Sequence, residues 1–161
     1  MLEYSQVLGL DELDIAILRE LQDDGRLSNV ELARRINLSP PATHARIRRL
    51  EEQGLIRQYV ALLDPAQVGY DMVCFVSISL QLHQSEELEA MRRRISRMPE
   101  VLECFHVTGE FDYLLKVVVR NRQELQHFVV ERITPMPGVA RIYTSLVLAE
   151  VKSTTSLPLP A

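Results

Sequence analysis

Two rhythms divide the chain. Up to Leu55 apolar residues recur at helical spacing, whereas from Met72 onward alternating, strand-like runs take turns with helical ones. Asp11 offers an N-cap for a first helix with Leu13, Ile17, Leu18 and Leu21 on its inner face. Ser28-Asn29-Val30-Glu31 has the spacing of a capping box, and Val30, Ala33 and Ile36 give a second, short amphipathic helix. Asn37, tolerant of left-handed geometry, can end it. Ser39-Pro40 then signals a third start: the serine hydroxyl accepts from an orphan N–H, and proline has no N–H to waste at the first helical position. The apolar side of this helix is Thr43, Ile47 and Leu50, which leaves Pro41, Ala45, Arg48 and Glu52 opposite, flanked by His44 and Arg49. Gly54 supplies a stop. About three residues separate the second helix from the third, the turn length of a helix-turn-helix. A three-helix helix-turn-helix unit is therefore predicted over residues 1–56.

Leu55 to Leu63 is β-prone and ends at Asp64-Pro65, so residues 57–70 read as a linker strand and hinge. Met72 to Leu82 alternates with Cys74, Val76, Ile78, Leu80 and Leu82 on one face, and Ser85 opens a helix with Leu88, Met91, Ile95 and Met98 inward. Val101 to Thr108 and Tyr113 to Val119 are strands joined by the turn Gly109-Glu110-Phe111-Asp112. Asn121 caps a helix carrying Leu125, Phe128, Val129 and Ile133, and Val139 to Val151 is a last strand. The order β-α-β-β-α-β is the ferredoxin-like plan, placed over residues 71–152, and the fold class is α+β. A faint repeat fits its two halves, since Met98-Pro99-Glu100-Val101 and Met136-Pro137-Gly138-Val139 both mark a passage from helix to strand. Helices cover only one face of such a sheet, yet both faces here carry apolar residues, Val73, Phe75, Leu114 and Val118 among them. The uncovered face predicts a homodimer. Residues 153–161 form a proline-containing tail, either without fixed structure or docked on a neighbour.

Charge sharpens the reading of the first unit. Between Leu32 and Leu50 lie five arginines and no acidic residue, although the 161-residue chain has a net charge of −4. Asp11, Glu12, Asp14, Glu20, Asp23 and Asp24 crowd the first helix instead. At a Debye length of about 8 Å a phosphate backbone responds to the nearby arginines, so an acidic protein can still bind double-stranded DNA. A helix from Pro40 to Gln53 is about 20 Å long and can lay its first turns in a major groove. Pro41, Ala42, His44, Ala45 and Arg48 are the base-edge candidates, with Arg48 suited to guanine and the alanines to a thymine methyl. Arg34, Arg35, Arg46, Arg49 and Arg57 are assigned to phosphates or nearby acids, and Ser39 and Pro40 to the helix start, where the Ser39 cap can also touch phosphate. Two-fold symmetry then calls for an inverted-repeat operator.

Other chemistries find little support. No apolar run approaches the ~20 residues of a membrane span, and Met1-Leu2-Glu3-Tyr4 lacks the form of a signal peptide, so a cytoplasmic location is expected. The four histidines, His44, His83, His106 and His127, show no ligand spacing, and there is no phosphate loop or nucleophile elbow. Neither an enzyme nor a cofactor is expected. Cys74 and Cys104 lie in apolar runs and read as buried, reduced thiols. The alternative is a thiol or metal sensor that uses Cys74, Cys104 and His106 and keeps the DNA-binding head.

In order and spacing, several strings resemble the Lrp/AsnC family of prokaryotic transcription regulators. They are Leu13-Asp14-x-x-Ile17-Leu18, Gly25-Arg26-Leu27-Ser28, Leu38-Ser39-Pro40, Arg49-Leu50-Glu51-x-x-Gly54-Leu55-Ile56, Val107 to Leu115, and Glu150-Val151-Lys152. The resemblance covers nearly the whole chain. It implies a sequence-specific DNA-binding regulator with an N-terminal helix-turn-helix, winged-helix-like or plain, a linker strand, and an αβ-sandwich that dimerises through its sheet and commonly assembles to octamers, with amino acids bound between dimers. It places the effector at Gly109, Glu110, Phe111 and Asp112, where Asp112 can pair with the ammonium and turn N–H groups with the carboxylate. His106, Thr108 and Leu146 would approach the same pocket, and Thr134 would come from a neighbouring subunit. His106 departs from the family, where an apolar residue is frequent.

Overall fold

The computed structural model describes residues 9–81 and 85–160, so the residues Met1-Leu2-Glu3-Tyr4, Leu82 and His83 discussed above lie outside it. Two units divide the chain, one running up to Leu62 and including the segment from Lys152, the other Leu63–Val151.

The first unit is built on α1 (Glu12–Asp23), α2 (Asn29–Arg35) and α3 (Pro40–Glu52). Asp11 and Asp14 form a reciprocal capping box on α1. Ser28 and Ser39 cap the other two helices, with hydroxyls accepting from Glu31 N–H at 3.2 Å and Ala42 N–H at 3.4 Å. The Ser28 box is only half made, because the Glu31 carboxylate turns to Arg34 and Arg35 instead of back to the cap. Asn37, at φ 53°, takes the left-handed geometry that ends α2, and Gly54, at φ 73°, ends α3.

Ile17, Leu32, Ile36 and Leu50 form the core of this unit, flanked by Leu18, Leu21, Leu27 and Ile47 among others. Val30 is a correction, being 66% exposed while Leu32 is fully buried. With Ser28 as cap, the inward stripe of α2 is Leu32, Ala33 and Ile36, and Val30 falls on its flank. Thr43 is buried as its place opposite Arg48 requires, with its hydroxyl donating to the Ser39 carbonyl at 3.1 Å. The tail returns to this unit, where the Gln22 amide holds Leu157 from both sides, accepting from its N–H at 2.6 Å and donating to its carbonyl at 3.2 Å.

The linker strand expected after Gly54 is not formed. Residues 57–64 have no ladder partner, and Val60, Leu62 and Leu63 stand exposed. A β-prone run becomes a strand only when another strand satisfies its backbone groups.

The second unit contains β1 (Met72–Leu80), α4 (Ser85–Ile95), β2 (Val101–His106), β3 (Tyr113–Val119), α5 (Arg122–Gln126) and β4 (Val139–Leu146). Strand order is β2-β3-β1-β4 with every pairing antiparallel, which is the ferredoxin-like sheet. The strands stop short of their β-prone runs for a local reason. Val107 N–H donates to the Asp112 carbonyl and makes Thr108 part of the turn, and Val147 N–H makes the last bond of β4, to Val73. Beyond α5 the chain continues from His127 to Ile133 with π-helical bonding, which a 3.6-residue rhythm does not reveal.

On the covered face Val76, Ile78, Leu115, Val117 and Val119 pack against Met91, Ile95, Phe128 and Ile133. Met98 and Met136, the first residues of the repeated Met-Pro pair, both plug this core. The register leaves Val73, Phe75, Leu114, Phe105 and Tyr143 on the opposite face. Phe105 and Tyr143 are 47% and 60% exposed there. Phe128→Ala should lower the stability of the second unit by about 3–5 kcal/mol, read as an earlier midpoint in chemical denaturation followed by far-UV circular dichroism.

Candidate nucleic-acid interface and ligand turn

The outward side of α3 is set by what its inward side does. Thr43 and Leu50 are buried, which turns Pro41, His44, Ala45 and Arg48 to solvent with Ala42 half-buried beside them. Pro40 and Ser39 sit exposed at the helix start, and the Asn29 amide donates to the Pro40 carbonyl at 2.8 Å, tying the start of α2 to that of α3.

The arginine stretch contains no acid of its own, but the fold brings acids to it. Arg46 donates from Nη1 to Asp11 at 2.7 Å and to Asp14 at 2.8 Å, and Arg49 donates to the other Asp14 oxygen. The Asp14 side chain is 1% exposed, so the anchor of α3 on α1 is a carboxylate inside the protein. Burial works to raise the Asp11 carboxyl, yet hydrogen bonds from Arg46 and from the Asp14 N–H outweigh it and hold Asp11 below its ordinary value.

Arg34 grips Glu31 through two bonds, at 2.7 and 3.0 Å, and Arg35 bridges Glu31 at 3.0 Å to Glu20 at 2.7 Å. Hydrogen bonds from Arg34 and then Arg35 pull the Glu31 carboxyl down to about 2. Asp11, Asp14 and Glu20 are thus ion-pair partners of the arginine helices, while Glu12, Asp23 and Asp24 make no ion pair among the described residues. Arg48 pairs with Glu52 at 2.8 Å, but with side chains 72% and 63% exposed the pair holds it only weakly. Arg57 is exposed and makes no ion pair among the described residues.

In the second unit the β2–β3 turn is locked to β1. Asp112 N–H donates to the Ile78 carbonyl at 2.9 Å and Asp112 Oδ2 accepts from Leu80 N–H at 2.7 Å. Gly109, at φ 121°, takes a backbone geometry that a side chain would strain. Glu110 pairs with Arg141 at 2.6 Å, and that guanidinium lies 5.3 Å over the Phe111 ring, which itself faces Tyr143 at 6.2 Å. His106 stacks on Tyr113 at 4.9 Å, and Tyr113 accepts from Arg92 Nε at 2.8 Å. The N–H groups of Gly109, Glu110 and Phe111 find no acceptor among the described residues.

His106, Thr108 and residues 109–112 therefore share one end of the sheet. Leu146 does not join them within this chain, because it lies opposite Cys74, four positions along β1 from the Ile78 that meets the turn. Thr134 ends the π-helical stretch with its hydroxyl donating to the Val129 carbonyl at 2.8 Å. Arg141, Ser79 and Tyr143 escaped the sequence reading. Only the register of β4 on β1, which local patterning does not encode, brings them to the turn.

Cys74 on β1 and Cys104 on β2 are separated by β3, and burial raises the Cys74 thiol, which works against a reactive thiolate. Cys104 is exposed at the surface, a departure from the buried position expected for it.

Two family profiles divide the chain in the same places. Residues 10–57 match a winged helix-turn-helix DNA-binding family, and residues 73–157 match the Lrp/AsnC ligand binding domain. A leucine-responsive regulatory protein of Rhizobium meliloti is 44% identical over 89% of this chain and 92% of its own. The Bkd operon transcriptional regulator of Pseudomonas aeruginosa is 41% identical over 93% of this chain and 98% of its own. Among solved structures, a transcriptional regulator of Neisseria meningitidis in complex with L-Met superposes with a TM-score of 0.89 at 42% identity, covering 92% of this chain and 96% of that one.

Two outcomes follow from the ion pairs. Asp14→Ala should destabilise the first unit by about 1–3 kcal/mol, because it leaves Arg49 without a carboxylate, takes from Arg46 one of its two and breaks the cap, and urea denaturation measures the loss. The depressed Glu31 carboxyl gives support that is complete above its ordinary value of 4.5 and is lost as pH falls through about 2. Side-chain NMR titration should place its midpoint near 2, and Glu31→Gln should remove that acid-range transition.

Proposed function

Since the chain belongs to the Lrp/AsnC family of transcription regulators, with a DNA-binding and a ligand-binding unit, we propose that it reads an inverted-repeat operator and answers to a free amino acid. The observation that carries the DNA reading is the division of labour on α3. Arg46 and Arg49 hold the helix through Asp14, which leaves Pro41, Ala42, His44, Ala45 and a loosely paired Arg48 for base edges. Arg57, without an internal partner, takes a phosphate. Ser39 and Pro40 deliver the helix start to the backbone, and Arg34 and Arg35 stiffen α2 through Glu31 and act on DNA only by exchanging that carboxylate for phosphate.

The ligand reading rests on the turn. Three N–H groups without acceptors suit a carboxylate, and the Asp112 oxygen not engaged by Leu80 suits an ammonium. His106, Thr108, Glu110 and Phe111 would meet the rest of the ligand, with Thr134 and Leu146 reaching it from neighbouring copies. The Neisseria relative was solved with L-Met, which supports an amino acid here without fixing which one.

The uncovered sheet face, with Val73, Phe75, Leu114, Phe105 and Tyr143, supports a homodimer, and the exposed linker residues Val60, Leu62 and Leu63 add apolar surface for a partner to cover. Assembly of such dimers to an octamer completes the proposal. No helix among the described residues is long and apolar enough to cross a membrane. The relatives are named as regulators, and the protein is assigned to the cytoplasm, where the DNA is.

Arg48→Ala should cost about 1–3 kcal/mol on the preferred operator and flatten discrimination among operator variants. Arg57→Ala should weaken all sequences alike and reduce the salt slope by about 1. Fluorescence anisotropy over a salt series separates the two, and if neither variant changes binding, α3 is not the reader. Asp112→Asn keeps an oxygen for Leu80 and removes the charge. Calorimetry with the twenty amino acids should show at least about tenfold weaker binding of whichever ligand the parent takes, with operator affinity unchanged.

A further inference from the structure

Five charged side chains of α4 have no role in the reading above. Glu86 and Glu87 stand in its first turn, and Arg93, Arg94 and Arg97 at and just beyond its end. None of the five makes an ion pair among the described residues, whereas Arg92 and Glu89 pair with each other at 3.0 Å and Arg132 pairs with Glu100. Along the helix only Arg93 has an acid in reach, Glu89 four positions before it, and that carboxylate is taken by Arg92. Three and four positions on from Glu86 and Glu87 come Glu89, Ala90 and Met91, and three and four before Arg94 and Arg97 come Ala90, Met91, Arg93 and Arg94.

Between the two charge groups lies Ala90, exposed, where two open grooves of about 400 Å³ each meet. One groove is lined by Arg93, Arg94, Arg97 and Arg132 with Met98, the other by Glu86, Glu87 and Arg94 with Met91, Met136 and Pro137. The spacing is matched about this small residue. Glu86 and Arg94 are each four positions from Ala90, and Glu87 and Arg93 are each three.

We propose that α4 docks antiparallel on α4 of a second copy of this chain, about a two-fold axis at Ala90, with Glu86 of each facing Arg94 of the other and Glu87 facing Arg93. A two-fold contact requires a self-complementary surface, and this one is complementary in sign on the two sides of its centre. A parallel arrangement would set acid against acid and base against base, so the charges also select the direction. Ala90 lets the backbones approach at the axis, above the buried Met91, Met98 and Met136. Duplex DNA could use the same arginines, but its phosphates would also meet Glu86 and Glu87 within the same stripe, which favours the second copy. Because the helices cover the face of the sheet opposite Phe75 and Tyr143, a dimer joined through the sheet keeps both α4 surfaces for a further pairing. The contact thus rests on the sheet-joined dimer only for the size of the final particle.

The test uses the full chain, light scattering and two charge-reversed variants, Glu86→Arg with Glu87→Arg, and Arg93→Glu with Arg94→Glu. Each should weaken the α4 association roughly a hundredfold, since like charges replace four ion pairs, and should halve the parent's mass or reduce it further. The product is a dimer if the sheet contact stands and a monomer if it does not, so failure of that contact is read separately. Mixed in equal amounts the two variants carry opposite signs and should regain the parent mass, which a misfolded variant cannot do. The proposal is overturned if either variant keeps the parent mass, or if the mixture does not regain it. It is equally overturned if the arginine variant loses affinity for long DNA with its mass unchanged, since those arginines then serve phosphate.

Discussion

One buried carboxylate organises the DNA-binding unit. Asp14 closes the capping box of α1 through a bond from the Asp11 N–H and at the same time receives Arg46 and Arg49 of α3, which lie 32 and 35 residues further along the chain. A lone charge in that position would carry a heavy desolvation cost, and two guanidinium groups with a backbone N–H offset it. The geometry follows from the pairing. Arg46 and Arg49 are three residues apart and so lie on one flank of α3, which fixes the rotation of the helix about its own axis. With that rotation fixed and Thr43 and Leu50 inward, the side that carries His44, Ala45 and Arg48 has one orientation only. The base-edge reading proposed for that surface depends on this constancy more than on charge, because a bidentate contact tolerates little angular error.

The ligand turn is organised on a similar principle with different chemistry. Asp112 spends one oxygen and its N–H on β1, so a six-residue connection between two strands is fastened to a third. Arg141 and Tyr143 of β4 close in from the far side through Glu110 and Phe111. A turn held by two other strands changes shape only if the register of the sheet changes. The N–H groups of Gly109, Glu110 and Phe111, without acceptors among the described residues, are held at fixed spacing by the same bonds.

Local signals carried much of this. Asp11, Ser28, Ser39 and Asn121 each cap the helix that their residue type announces, and Tyr113–Val119 is the strand that its alternation marks. The failures share a cause, which is that the deciding partner lies far off in sequence. The five arginines look like free charge until the fold brings Asp11, Asp14 and Glu20 to them. Leu55 to Leu63 looks like a strand, but a ladder partner is needed and this chain provides none. Val30 looks like core because the first turn of a seven-residue helix leaves its phase loosely defined. Leu146 sits by family analogy near the turn, and the β1–β4 register carries it toward the other end of the sheet.

The clasp between Gln22 and Leu157 makes the first unit discontinuous along the chain: its closing piece arrives only after the whole second unit has been made. During synthesis the three helices emerge early, and their tail contact must wait for about a hundred further residues, so that contact can form only on a finished polypeptide. A single cut in the exposed linker would likewise leave the later fragment holding a part that belongs to the earlier one. The two pieces would then retain a reason to recognise each other, as halves of a split protein do.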